Sequence, residues 1–108
     1  MWLLIDDMRN LDVDVIARTP EAGRKMLALG GWEGLLLDHD LGQCESGASI
    51  LDWAIANGFA PSKVTLVTSN PVGAANMARA LRASGYESLN NRSFTRQDNA
   101  LLALSVAR

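Results

Sequence analysis

Leu3-Leu4-Ile5-Asp6-Asp7 is an apolar run that stops on two acids, and Leu35-Leu36-Leu37-Asp38-His39-Asp40 repeats the pattern. Apolar runs this short, bounded by polar residues, read as strands buried on both faces, the kind that build parallel sheets. Ligands bind open α/β sheets at the carboxyl ends of their strands. Four carboxylates and the single histidine of the chain are therefore expected at one edge of one sheet. Crowded carboxylates repel, so such a cluster calls for a cation, a proton or a basic partner.

Outward from these two runs, strand-like and helix-like segments alternate, the pattern of an α/β fold. Residues 2–6 form the first strand, and Val13, Val15 and Ile16 suggest a short second one. Thr19-Pro20-Glu21 is a helix start: a capping hydroxyl, proline in the first turn and an acid near the positive end of the dipole. Gly30-Gly31 closes that helix. A strand over 32–38, a helix over 48–57 and a β-branched strand over 64–68 follow. Asn70-Pro71 opens a third helix, which Gly85 ends. Residues 86–89 read as a short fifth strand. Thr95 with Asp98 resembles a capping box opening a last helix rich in Leu and Ala. Five parallel strands with crossover helices make a small three-layer sandwich. A parallel crossover takes a dozen or more residues, yet only residues 7–12 separate the first two strands. The first crossover helix is expected to be reduced or absent, unless the Val13 segment is no strand.

The chain of 108 residues is long enough to bury a core and reads as one domain over 1–108. A net charge of −2 argues against a broad nucleic-acid surface, although Arg9, Arg18, Arg24 and Lys25 leave room for a local basic patch. Cys44 is the only cysteine, which excludes an internal disulfide and fits a reducing cytoplasm. No apolar run approaches a membrane span, and the opening residues lack the basic start of a signal peptide.

Asp6, Asp7 and Asp38 are the candidate metal ligands, because hard divalent ions such as Mg²⁺ take oxygen donors, often carboxylates with phosphate and water. The alternative is that only Asp6 and Asp38 approach each other while Asp7 and Asp40 cap loops. One histidine cannot build a histidine-based zinc site. His39, between two acids, is either a general acid or base or a loop-fixing hydrogen-bond donor. Asp40 shares the proton-carrying role. Ser69 and Asn70 precede a helix whose free N–H groups favour an anion, so they are candidates for phosphate, and plain N-capping explains them equally. Asn76 lies about two turns further on. Arg9 and Arg18 flank the shortened crossover, and arginine forks suit phosphate. Trp32 and Trp53 read as core aromatics, and Cys44 as incidental.

Ile5-Asp6-Asp7, Asp38 at the end of the third strand and Ser69 at the end of the fourth resemble the receiver domain of bacterial response regulators: an acid pair, a phosphorylatable aspartate and a hydroxyl. Leu4-Ile5-Asp6-Asp7-Met8-Arg9, Arg18-Thr19, Leu37-Asp38-His39-Asp40-Leu41-Gly42, Ser69-Asn70-Pro71-Val72-Gly73 and Asn76-Met77 are similar to a narrower branch, the cyclic-phosphate-processing receiver-like domains. The resemblance implies strand order 2-1-3-4-5 and a bacterial or phage origin, hence a bacterial or host cytoplasm. It implies an RNA-repair type of activity on cyclic phosphates at RNA ends. Signalling receivers carry a lysine at the end of strand five, and here no lysine follows Lys63. Phosphoryl relay is thereby disfavoured, and the shortened crossover opens space beside Asp6 and Asp38.

These residues lead to a metal-dependent phosphoesterase-like domain that acts on, or binds, the cyclic phosphate of a small molecule or RNA end. Asp38, His39 and Asp40 would carry the chemistry, with Arg9, Arg18, Ser69, Asn70 and Asn76 holding phosphate. Two alternatives stand beside it: a pseudo-receiver that engages a protein partner, and a bacterial or phage protein that sequesters a nucleotide without turnover.

Overall fold

Strand β1 (Trp2–Ile5) is the spine of the sheet, and its three inner residues are fully buried. A computed structural model describes residues 1–42 and 45–97. After β1 come β2 (Val15–Ala17), α1 (Pro20–Leu29), β3 (Gly34–Leu37), α2 (Gly47–Asn57), β4 (Lys63–Leu66), α3 (Pro71–Ala83) and β5 (Ser93–Thr95). They form one five-stranded sheet in the order β2-β1-β3-β4-β5. The first four strands are parallel, with Ile5 level with Ala17 on one side and Leu37 on the other, and Leu37 level with Leu66. The register therefore delivers Asp6 and Asp38 to the same edge, one residue beyond adjacent strands.

The helices start where the sequence predicts. Thr19 accepts from Ala22 N–H at 3.1 Å, Ser46 from Ser49 N–H at 3.3 Å and Asn70 from Gly73 N–H at 3.0 Å, each satisfying one free amide of a first turn. Helix α2 packs between α1 and α3. All three cover the sheet face of Leu3, Ile5, Leu35, Leu37, Val64 and Leu66. By strand alternation the opposite face carries Trp2, Leu4, Ile16, Leu36 and Thr65. The Trp2 ring lies across Gly34, where a Cβ would fall 2.2 Å from it, so only glycine fits.

No helix links β1 to β2, as the spacing predicts. Side chains hold this link instead. Arg18 donates to the carbonyls of Asp6 (3.3 Å) and Arg9 (2.7 Å) and to Asn10 Oδ1. Asp14 Oδ2 accepts from Trp2 N–H at 2.7 Å.

The far edge departs from expectation. Residues 86–89 do not form the fifth strand. Glu87 makes a lone bridge to Thr95, and β5 runs antiparallel to β4. The cause lies in the turn between them. Asn90 Oδ1 accepts from both Arg92 N–H and Ser93 N–H at 2.9 Å, and Asn91 takes a left-handed φ of 58°. Asparagine tolerates that conformation and reverses chains through such local bonds. The reversal buries Phe94, which is 1% exposed. Thr95 pairs in the sheet rather than capping a helix, and the rest of the expected last helix lies outside the described residues. Among those residues no helix is long and apolar enough to cross a membrane.

Candidate functional site

Asp6 is fully buried and Asp38 is 5% exposed, which is unusual for carboxylates and demands partners. Oδ1 of Asp6 accepts from the N–H groups of Met8 and Arg9, both at 2.9 Å. Its Oδ2 accepts from the Arg9 guanidinium at 2.8 Å. The same Arg9 nitrogen lies 3.4 Å from Asp38 Oδ2. Asp38 Oδ1 accepts from the N–H of His39 at 2.9 Å. Burial works to raise the Asp6 pKa, but the Arg9 and Met8 N–H groups and the Arg9 charge outweigh it and hold the carboxyl below its ordinary value. The hydrogen bond to Asp6 raises the pKa of Arg9 in turn.

One carboxylate oxygen from each of Asp6, Asp7 and Asp38 lies within 4.8 Å of the other two. An all-oxygen donor set suits a hard divalent ion, and the Arg9 guanidinium drawn onto it shows that the spot favours positive charge. These acids border a cavity of about 430 Å³ together with Met8, Arg9, Asp40, Gly42 and Ser69. Gly42 has a φ of 69°, and a Cβ there would stand 2.8 Å from Asp7 Oδ2, so the loop after β3 closes directly over Asp7.

His39 and Asp40 form a second cluster. His39 Nδ1 lies 3.0 Å from Asp40 Oδ1, and Asn70 Nδ2 lies 3.4 Å from the same oxygen. The hydrogen bond from His39, with lesser help from Asn70, lowers the Asp40 pKa despite some desolvation. Asp40 faces the acidic cavity, whereas the His39 ring packs on the first turn of α3. A Cβ at Gly73 would meet that ring at 2.3 Å.

A family model for the cyclic-phosphate processing receiver domain matches residues 1–83. The chain belongs to this family. The match covers β1 through α3, which supply every cavity-lining acid, Arg9 and Ser69. No curated protein and no solved structure matches the chain.

In this receiver domain the expected site residues fall into three groups. Asp6, Asp7, Arg9, Asp38, Asp40 and Ser69 meet at one cavity. His39 and Asn70 stand behind Asp40. Arg18 and Asn76 are elsewhere engaged: Arg18 fastens the β1–β2 link, and exposed Asn76 accepts from Arg79 on its own helix at 3.1 Å.

Three residues escaped the sequence reading of the site. Gly47 sits so close to β3 that a Cβ would fall 1.9 Å from the Asp38 carbonyl oxygen, and its N–H donates to His39 O at 2.8 Å. Gly73 seats His39. Arg92, in the turn that precedes β5, reaches the carboxyl edge and donates to Leu66 O at 3.3 Å. Glycines in the right neighbourhood were visible, but a close approach between backbones is not a sequence signal.

Proposed function

We propose that this receiver domain hydrolyses a cyclic phosphate with the help of a divalent cation. The observation that carries the reading is the convergence of three carboxylate oxygens on one spot in a cavity that also holds Arg9 and Ser69. Mg²⁺ held by Asp6, Asp7 and Asp38 would polarise a phosphate oxygen and lower the pKa of a bound water. Arg9 and Ser69 line the cavity; Arg9 would meet the phosphate charge and Ser69 would donate a hydrogen bond to it. Asp40 accepts the proton of the attacking water, and His39 behind it shares that proton through Nδ1. The water oxygen bonds to phosphorus, one ring P–O bond breaks, and the departing alkoxide takes up the proton that Asp40 and His39 held. The product is a phosphomonoester.

The test is turnover of a 2′,3′-cyclic nucleotide with Mg²⁺, read as ring-opened monophosphate by chromatography. Asp38→Ala should abolish product while retaining the native circular dichroism spectrum. Undiminished turnover by that variant would sink the assignment. A phosphoryl adduct on Asp38 after incubation with acetyl phosphate and Mg²⁺, seen by intact mass and without cyclic-phosphate hydrolysis, would turn the reading towards a phosphoacceptor module.

A further inference from the structure

The link from β1 to β2 has no helix to satisfy its backbone, so its polar groups need other partners. The N–H groups of Met8 and Arg9 go to Asp6 Oδ1, both at 2.9 Å, a local side-chain substitute for helical bonding. The carbonyls of Asp6 and Arg9 both go to one side chain, Arg18, at 3.3 and 2.7 Å. The other terminal nitrogen of Arg18 donates to Asn10 Oδ1. A guanidinium can serve three acceptors at once because its donors are fixed in one planar fork.

The mount of Arg18 is itself held at both ends. Ala17 before it is the last residue of β2 and pairs with Ile5, and Thr19 after it caps α1. The fork therefore ties the link to the sheet and to a helix start rather than to another loop. Arg18 is exposed, does not line the acidic cavity and makes no ion pair among the described residues.

Arg9 is the residue this tie controls. Its N–H is held by Asp6 Oδ1, and its carbonyl takes the shorter of the two carbonyl bonds from Arg18. With its backbone gripped on both sides, the side chain starts from a fixed point, and its guanidinium reaches Asp6 Oδ2 at 2.8 Å and Asp38 Oδ2 at 3.4 Å. The Arg9 side chain is 37% exposed, so burial alone does not keep it there. A long side chain at that exposure retains much rotamer freedom unless its root is fixed. Asp7, the other acid of the link, has a separate restraint, because its Oδ2 stands against Gly42 in the loop after β3.

We infer that Arg18 is a positioning residue that acts through Arg9: by fixing the Arg9 backbone it keeps the guanidinium on Asp6 and Asp38, and so sets how strongly a divalent cation must compete for those carboxylates. The inference rests on the cation site of the proposed function. It gives the affinity of that site a control point outside the cavity, in a side chain that touches none of the three acids' carboxylates.

The experiment is a double-variant cycle on the full chain, with Arg18→Lys and Arg9→Met made singly and together. Lysine keeps the positive charge but lacks the planar fork, so any purely electrostatic effect of Arg18 is preserved. In the metal-free protein the Nε–H signal of Arg9, identified by its loss in Arg9→Met, is followed by NMR relaxation. Arg18→Lys should turn it from ordered to motionally averaged while the circular dichroism spectrum stays native. In isothermal titration Arg18→Lys should bind Mg²⁺ about threefold more tightly than the wild type, and the same substitution made in Arg9→Met should change nothing. An Arg9 signal as ordered in Arg18→Lys as in the wild type overturns the inference, and so does an unaltered affinity. An equal change in both backgrounds also overturns it, because Arg18 then supports the link without acting through Arg9. Should Arg18→Lys fail to fold, Asn10→Ala, which removes only the acceptor of the second fork nitrogen, must move both readouts in the same direction or the inference falls. If Arg9 loosens as expected but no form of the protein binds Mg²⁺, the positioning of Arg9 is upheld and the cation of the proposed function is what fails.

Discussion

Nη1 of Arg9 lies 3.4 Å from Oδ2 of Asp38, while the same nitrogen is 2.8 Å from Oδ2 of Asp6. The guanidinium thus neutralises two buried carboxylates of neighbouring strands at the place where a divalent ion would sit. A bound ion and the arginine would compete for the same oxygens. Arg9→Met should therefore bind Mg²⁺ several-fold more tightly in isothermal titration. Its thermal midpoint without Mg²⁺ should fall, because two acids then face each other unpaired. Weaker Mg²⁺ binding by the variant would mean that Arg9 organises the ligands rather than competing for them.

The pH dependence of stability has a definite sign at Asp6. Its folded pKa is lowered from the ordinary 3.8, so the folded state binds this proton less readily than the unfolded chain. The resulting stability is fully present above the unfolded value and is lost as pH falls through the folded one. Urea unfolding from about pH 6 to about pH 2 should show this loss in the wild type. Asp6→Asn should be less stable near neutrality and show a shallower acid limb. Parallel curves for the two proteins would contradict the assignment.

Two glycines set the position of Asp38 and His39 through steric contact. At Gly47 an added Cβ would overlap the Asp38 carbonyl, and backbone cannot yield as a side-chain tip can. Gly47→Ala should cost about 3 kcal/mol in urea unfolding, the upper end for overpacking. Gly73→Ala meets only the His39 ring and should cost less, at about 1 kcal/mol. Its signature is a displaced His39 ring, seen as altered ring-proton chemical shifts by NMR, with cyclic-phosphate turnover reduced.

The reversed fifth strand can be trapped chemically. Thr65 and Ser93 are direct antiparallel partners, with hydroxyl oxygens 3.4 Å apart. The flanking Leu66–Arg92 pair carries the backbone hydrogen bond, so Thr65 and Ser93 form the closer, non-hydrogen-bonded pair. In a background with Cys44→Ser, the double variant Thr65→Cys and Ser93→Cys should oxidise readily to a disulfide, seen as an intact mass two hydrogens lighter. No bridge would form if residues 86–89 were the pairing strand.

Much of this arrangement was legible because it is local. The acid-terminated runs, the Thr19-Pro20 and Asn70-Pro71 caps and the shortness of the first link are each contained in a few residues, and they brought Asp6, Asp7, Asp38 and Ser69 to one cavity. What escaped is non-local. Three residues with one inward side chain, Phe94, give β5 almost no periodicity to read, and its direction is decided by the hydrogen bonds of Asn90. Arg18 was expected at phosphate but finds three oxygens of the β1–β2 link within reach, a demand created by the very helix that is missing. Asn76 shares helix α3 with the site without facing it.

The antiparallel β5 also changes which part of the chain can vary at the carboxyl edge of the sheet. In an all-parallel sheet the final strand would deliver its exit to the carboxyl edge, and the following segment would be committed to crossing back. Here that edge receives a reversing turn, residues 88–92, whose two ends are already held together by sheet pairing. Each doubling of such a loop adds only about 0.6 kcal/mol of closure entropy. The turn is therefore the place where insertions can accumulate during divergence, altering this edge of the sheet while the carboxylates and their strands stay as they are.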